Sequence, residues 1–181
     1  DLVLQAVAVR LREAVRAGCT HAVLEMTSQG AVQHRHRFID LDTLVLTHIA
    51  PEHIEAHGSY EKYVDAKISI AHALAASRKP RKLLMLNRNM REKEKFERIM
   101  GVEKIFYGIE DWNLYQLKTE LPGTFNRENI LAALTCAKAL GVNVETIRKA
   151  VASLRSIPGR MEVVAEKPVR VIVDYAHTPD S

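Results

Sequence analysis

The chain has little of what a disulfide scaffold, a zinc module or a membrane protein is built from. Only two of its 181 residues are cysteine. Cys19 and Cys136 fall in helix-like patterns without metal-ligand spacing, so reduced, packed thiols are expected, as in a reducing cytoplasm. No apolar run approaches the roughly 20 residues that cross a bilayer; Leu83 to Leu86 and Val171 to Val173 are among the longest. The first residues lack a basic segment followed by an apolar one, so no secretion signal is read. Aromatic residues make up 6% of the chain, and few of them interrupt the basic stretches Arg78 to Lys82 and Arg88 to Lys95. Without a nucleic-acid motif, the net charge of +4 reads as solvated basic faces or as attraction for a phosphorylated small molecule. The expectation is a soluble cytoplasmic protein with no nucleic-acid and no membrane partner.

What is present is enough for one sizeable core and part of a second domain, with 47% hydrophobic residues. Apolar residues at helical spacing predict a helix over Leu2 to Ala17 that Gly18 ends. His21 to Met26 reads as a short buried strand running into Thr27-Ser28-Gln29-Gly30, and Thr43 to Thr47 as a second strand. Ser59 is placed to cap a helix from Tyr60 to about Ala76. Strands over Lys82 to Leu86 and Lys104 to Tyr107 flank a charged helix from Arg91 to Met100. Asn126 is expected to cap a helix that Gly141 closes, and Asn143 to start another, up to about Leu154. This alternation predicts an α/β fold, a mainly parallel sheet flanked by helices. Pro158-Gly159 breaks the pattern before a strand over Val169 to Asp174, which places a domain boundary near 158. Residues 159–181 would open a second, Rossmann-like α/β domain. No internal repeat or low-complexity tract is seen.

Ligands of open parallel sheets bind beyond the carboxyl ends of the strands, which singles out Glu25 and Thr47-His48. A carboxylate after an apolar strand can hold magnesium, which prefers oxygen ligands, although an acidic residue there is also a common helix cap. His53-Ile54-Glu55-Ala56-His57-Gly58 places two histidines and a glutamate in one loop, equally a polar loop or a cation site, and not the spacing of a zinc protease. Lys67 follows in an apolar helical context. It is either a snorkelling surface side chain or, if partly buried, a reactive amine.

Seven pieces then carry a resemblance. They are Leu24 to Ser28, Gln33-His34-Arg35, Glu52 to Gly58, Tyr63 to Lys67, Phe125 to Asn129, Pro158 to Glu162 and Val173 to Asp180. In this order and spacing they resemble the Mur ligase family, and around His53 to Gly58 and Gly159 to Glu162 its UDP-N-acetylmuramoyl-tripeptide synthetase (MurE type) branch. The resemblance covers most of the chain and is weakest between about Ile68 and Thr124. It implies a partial central ATP-binding domain over 1–158 and the start of the C-terminal ligase domain over 159–181. It also implies ATP and Mg2+ as cofactors. Glu25 and His53 match magnesium ligands, and Lys67 matches a lysine carbamylated by carbon dioxide, whose anionic carbamate binds metal and orients phosphate. Thr27, Ser28 and Arg35 match the region that contacts the UDP-muramyl substrate, Asn129 an adenine contact, and Arg160 and Asp174 nucleotide contacts. The implied reaction adds diaminopimelate or lysine to UDP-N-acetylmuramoyl-L-alanyl-D-glutamate through an acyl phosphate, in peptidoglycan synthesis.

The chain also departs from that pattern. It contains no G-x-x-G-K-[ST] phosphate loop, so the expectation is a fragment that is inactive as a ligase by itself. Gln29 stands where the family usually has histidine, His48 where it has asparagine, and Glu52 and Glu55 where it has aspartates. Two alternatives stay open. Cyanophycin and folylpolyglutamate synthetases share parts of the Asp174 to Pro179 signature, and a non-catalytic binding homologue would explain the absent loop and Gln29. Oligomeric state and the choice of amino acid are not legible.

Overall fold

In a computed structural model the structure describes residues 2–51 and 54–176, with side chains from residue 5 onwards. In chain order the elements are α1 (Leu2–Arg16), α2 (Ser28–Val32), β1 (Thr43–Leu46), α3 (Ile54–His57), α4 (Tyr60–Ala75), β2 (Leu83–Asn87) and α5 (Lys93–Glu97). They continue with β3 (Glu103–Tyr107), a 3-10 turn (Ile109–Trp112), α6 (Thr124–Ala139), α7 (Val144–Ser153), β4 (Glu162–Ala165) and β5 (Val171–Val173). A parallel sheet of order β1-β2-β3 and an antiparallel β4-β5 pair give the expected α/β class. All five residues of β2 are buried. A middle strand is covered on both faces, so Leu83-Leu84-Met85-Leu86 is a continuous apolar run rather than an alternating one.

Local chemistry sets most helix ends. The Ser59 hydroxyl accepts from the Lys62 amide at 3.2 Å and Asn143 from the Glu145 amide at 2.8 Å, so both begin their helices as expected. Gly18 and Gly141 lie at φ 78° and 88° just past α1 and α6. In each case paired backbone bonds close the last turn, as in Cys19 N–H to Ala14 O and Val142 N–H to Ala137 O. A residue with a Cβ is strained in that left-handed conformation.

Several expectations are corrected. His21 to Met26 is irregular and not a buried strand: Val23 is 98% exposed, because no strand among the described residues pairs with this segment. The charged helix expected over Arg91 to Met100 shrinks to Lys93–Glu97, since Glu92 at φ 61° takes the chain out of helical geometry before it. Asn126 is not a cap. It sits buried in the first turn of α6, behind Gly123, and its side-chain amide donates to Pro122 O at 2.7 Å. The Cys19 thiol is exposed, just beyond α1, whereas half-buried Cys136 has its thiol pushed up by burial.

The chain clusters into two compact units: residues 1–44, 53–84 and 94–103, and residues 45–52, 85–93 and 104–181. In the first, α2 lies on α4 over Ala31, Ala66 and Ile70, with Met26, Leu41 and Leu44 packed against them. Small residues at the contact let the two helices approach closely. Arg78 grips Asp40 with two side-chain bonds, 2.9 and 2.6 Å, and Arg81 pairs with Glu103 at 3.0 Å. In the second unit the buried Tyr107 hydroxyl donates to Leu46 O at 2.8 Å. There α6 packs on α7 and on the 3-10 turn, with the Arg127 guanidinium 5.2 Å from the Trp112 ring centre.

Candidate functional site

One short helix presents three of the expected substrate contacts. The Thr27 hydroxyl accepts from the Gly30 amide at 3.0 Å and so caps the start of α2. At the other end His34 takes φ 55°, and the amides of His34 and Arg35 bond to the carbonyls of Ala31 and Gly30, both at 2.9 Å. A helix of five residues has too few internal bonds to hold itself. Its two caps supply the missing ones and thereby orient Thr27, Ser28 and Arg35. Ser28 is 3% exposed and shares a 3.0 Å hydrogen bond with His57 Nε2. Arg35 is half-buried, and its Nε is buried without a hydrogen-bond partner among the described residues. Such a donor is costly unless a partner arrives.

Lys67 projects from the middle of α4, half-buried, with Nζ 5.3 Å from the centre of the buried Tyr63 ring. That ring packs T-shaped with His57, centres 5.7 Å apart, and stacks with Tyr60 at 6.0 Å. Glu25 lies in the exposed segment before α2, its carboxylate in no ion pair or hydrogen bond among the described residues. A free carboxylate is suitable oxygen chemistry for magnesium. His53 lies outside the described residues. Among those described, no group of three or more His, Cys, Asp or Glu side chains could hold a metal ion.

The second unit carries the remaining candidates. Thr47 and His48 emerge exposed just past β1, and Asn129 is exposed on α6. Asp174 spends both carboxylate oxygens on backbone amides, those of Met161 and Ala176, each at 2.7 Å. Glu162 accepts from the Gly159 amide at 2.7 Å, and Tyr175 N–H donates to Gly159 O at 2.9 Å. Arg160 lies over the Tyr175 ring at 5.0 Å. These contacts tie the Pro158-Gly159 turn to the strand end that bears Asp174.

Comparison with known proteins decides the family: the model of the Mur ligase middle domain matches residues 5–114. This chain belongs to the Mur ligase family. A UDP-N-acetylmuramoyl-L-alanyl-D-glutamate–L-lysine ligase of Staphylococcus aureus is 30% identical over 195 residues, covering 94% of this chain and 40% of that protein. A UDP-N-acetylmuramyl-tripeptide synthetase 2 of Oceanobacillus iheyensis is likewise 30% identical, over 94% of this chain and 40% of its own length. The chain thus spans about 40% of the curated relatives it matches. Among solved structures, MurF from Acinetobacter baumannii superposes with TM-score 0.69 at 18% identity, covering 82% of this chain and 37% of that one. A pseudomurein peptide ligase type C from Methanothermus fervidus gives 0.64 at 21% identity, over 81% and 40%. At such identities these structures establish the fold alone.

Within this Mur ligase chain, sequence reasoning overlooked two residues. His57 lies in the segment expected as a loop, which instead forms α3; the sequence marks it only as part of a possible cation site, and Tyr63 only as part of a motif. The pairing of His57 with Ser28 spans 29 positions. The histidine-glycine step before a capped helix was the available signal, but nothing local names the partner.

Proposed function

We propose that this chain is the central part of a peptidoglycan tripeptide ligase, with residues 1–158 from the ATP-binding domain and 159–181 from the start of the ligase domain. The reaction is the ATP-dependent addition of lysine or diaminopimelate to UDP-N-acetylmuramoyl-L-alanyl-D-glutamate in the cytoplasm. The 30% identity to the L-lysine ligase over 94% of the chain carries this reading. Among the described residues no helix is long and apolar enough to cross a membrane.

In this reading Glu25, His53 and carbamylated Lys67 would hold Mg2+, which would neutralise the phosphate charge that develops during transfer. Half-burial of Lys67 against Tyr63 limits its swing, so that it presents its amine from one place on α4. Thr27, Ser28 and Arg35 bind the UDP-muramyl substrate. Support for Arg35 is its unpartnered buried Nε, a donor suited to an anionic oxygen. Asn129 contacts adenine, and Arg160 and Asp174 contact the nucleotide. The substrate carboxylate attacks the γ-phosphate of ATP, ADP leaves, and the incoming amine displaces phosphate from the acyl phosphate to form the amide.

The test is ligation by the protein of the full reading frame, given UDP-muramyl dipeptide, ATP and each amino acid in turn. Lysine- or diaminopimelate-dependent phosphate release, falling at least about a hundredfold in Lys67→Ala, is expected for loss of one preorganised electrostatic group. Independently, Lys67 should gain the mass of carbon dioxide in bicarbonate. No amino-acid-dependent release with the dipeptide refutes the reading.

A further inference from the structure

We infer that His57 is a positioning residue that braces the Thr27-Ser28 turn and the Lys67 helix against each other. This rests on the reading of Thr27, Ser28 and Lys67 as site residues. Two faces of one imidazole carry the inference. Its Nε2 shares the 3.0 Å bond with the buried Ser28 hydroxyl, and its ring packs T-shaped with the Tyr63 ring, centres 5.7 Å apart at 76°. Tyr63 in turn offers its π-face to Lys67 Nζ at 5.3 Å.

The placement of His57 is itself prepared by backbone chemistry. It is the last residue of α3, where Gly58 at φ 79° bonds its amide to Ile54 O at 2.7 Å and turns the chain so that Ser59 caps α4. The imidazole is thereby held just before α4 and against Tyr63, which faces Lys67 from the preceding turn of that helix. Ser28 cannot form a water-exposed alternative bond, because it is 3% exposed. Losing His57 leaves a buried hydroxyl without this partner and a gap beside Tyr63. The turn that holds the substrate contacts and the ring beneath Lys67 then lose their common support.

The two contacts differ in kind, and this makes the inference testable without ligase activity. In the chain as it stands, three variants are compared with the parent: His57→Ala, His57→Gln and Ser28→Ala. Amide exchange is read at Gly30, whose N–H rests on Thr27. Acetic anhydride labelling of Lys67 is read by mass spectrometry against Lys149 on α7. His57→Ala is expected to speed Gly30 exchange about fivefold, the worth of one hydrogen bond, and to raise Lys67 labelling about two- to fivefold as Tyr63 loses the ring that holds it over the Lys67 amine. An amide side chain can still bond Ser28 but brings no ring, so His57→Gln restores Gly30 exchange and leaves Lys67 labelling raised. Ser28→Ala speeds Gly30 exchange alone, and stands in should His57→Ala fail to fold. The brace is overturned if His57→Ala changes neither readout, or if Lys149 labelling and exchange throughout α7 rise to the same extent. Labelling is done in buffer free of carbon dioxide, where Lys67 keeps a free amine, and neither readout depends on turnover, so failure of the ligase reading is seen separately.

Discussion

Replacing Tyr107 by phenylalanine isolates one buried hydrogen bond and gives it a pH signature. Tyr107 is 1% exposed, and its hydroxyl donates to Leu46 O at 2.8 Å, joining residues 61 positions apart. Burial above all, and then the negative charge of Glu128, raises the phenol above its ordinary value. Tyr107→Phe keeps the ring and removes the bond, so the loss near neutral pH is about 1 kcal/mol. For a chain of this size that lowers Tm by about 2–4 °C. The pH dependence follows from the unfolded phenol ionising near pH 10 while the folded one stays neutral. The unfolded state then binds fewer protons than the folded one. The tyrosine's contribution is therefore present below about pH 10 and lost above it, by about 1.4 kcal/mol per pH unit. Parent and variant should become equally stable between about pH 10.5 and 11. Urea unfolding from pH 7 to 11, with an unchanged m-value, measures this. An equal stability of the two at pH 7, or a difference that does not shrink with alkali, refutes the reasoning.

Other expectations follow from the same contacts. Leu84→Ala removes a fully buried side chain from the middle strand and should cost about 2–5 kcal/mol in urea unfolding. A loss below about 1 kcal/mol would mean that the site collapses around the gap. Ser59→Ala deletes the cap of α4 and should cost about 1 kcal/mol, with Ser59→Asp restoring most of it. The Asp40 carboxyl is held below its ordinary value, first by the Arg78 side chain and then by the Arg78 amide. The pair's contribution is present above about pH 4 and lost as pH falls through the lowered value. Arg78→Ala should move the Asp40 titration upward in a carboxyl-carbon NMR experiment, and an unmoved titration would show that the pair does not form in solution.

Much of the fold was legible because its signals are local. Ser59, Asn143 and Gly141 act on amides and carbonyls a few residues away, so their helices begin or end where the sequence placed them. The run Leu83 to Leu86 can only be a covered strand or a covered helix segment, and its length decides for the strand. The order of short motifs likewise determined the family, since each motif is a local string. Asn126 shows the limit of such signals: a cap residue by type, it lies within the first turn of α6 because Gly123 starts the helix three residues earlier.

What the tertiary structure alone decided are the pairings that no local pattern encodes. Val23 and Leu24 look like strand residues in the sequence, but a strand exists only where a neighbour supplies hydrogen bonds, and none of the described strands does. The Ser28–His57 bond and the Tyr107–Leu46 bond join residues 29 and 61 positions apart. Their partners are chosen by how α2, α4 and the strands pack, a sum of many apolar contacts of which the polar pairs are a consequence. The sequence therefore named the residues able to do the chemistry, and packing determined which of them face one another.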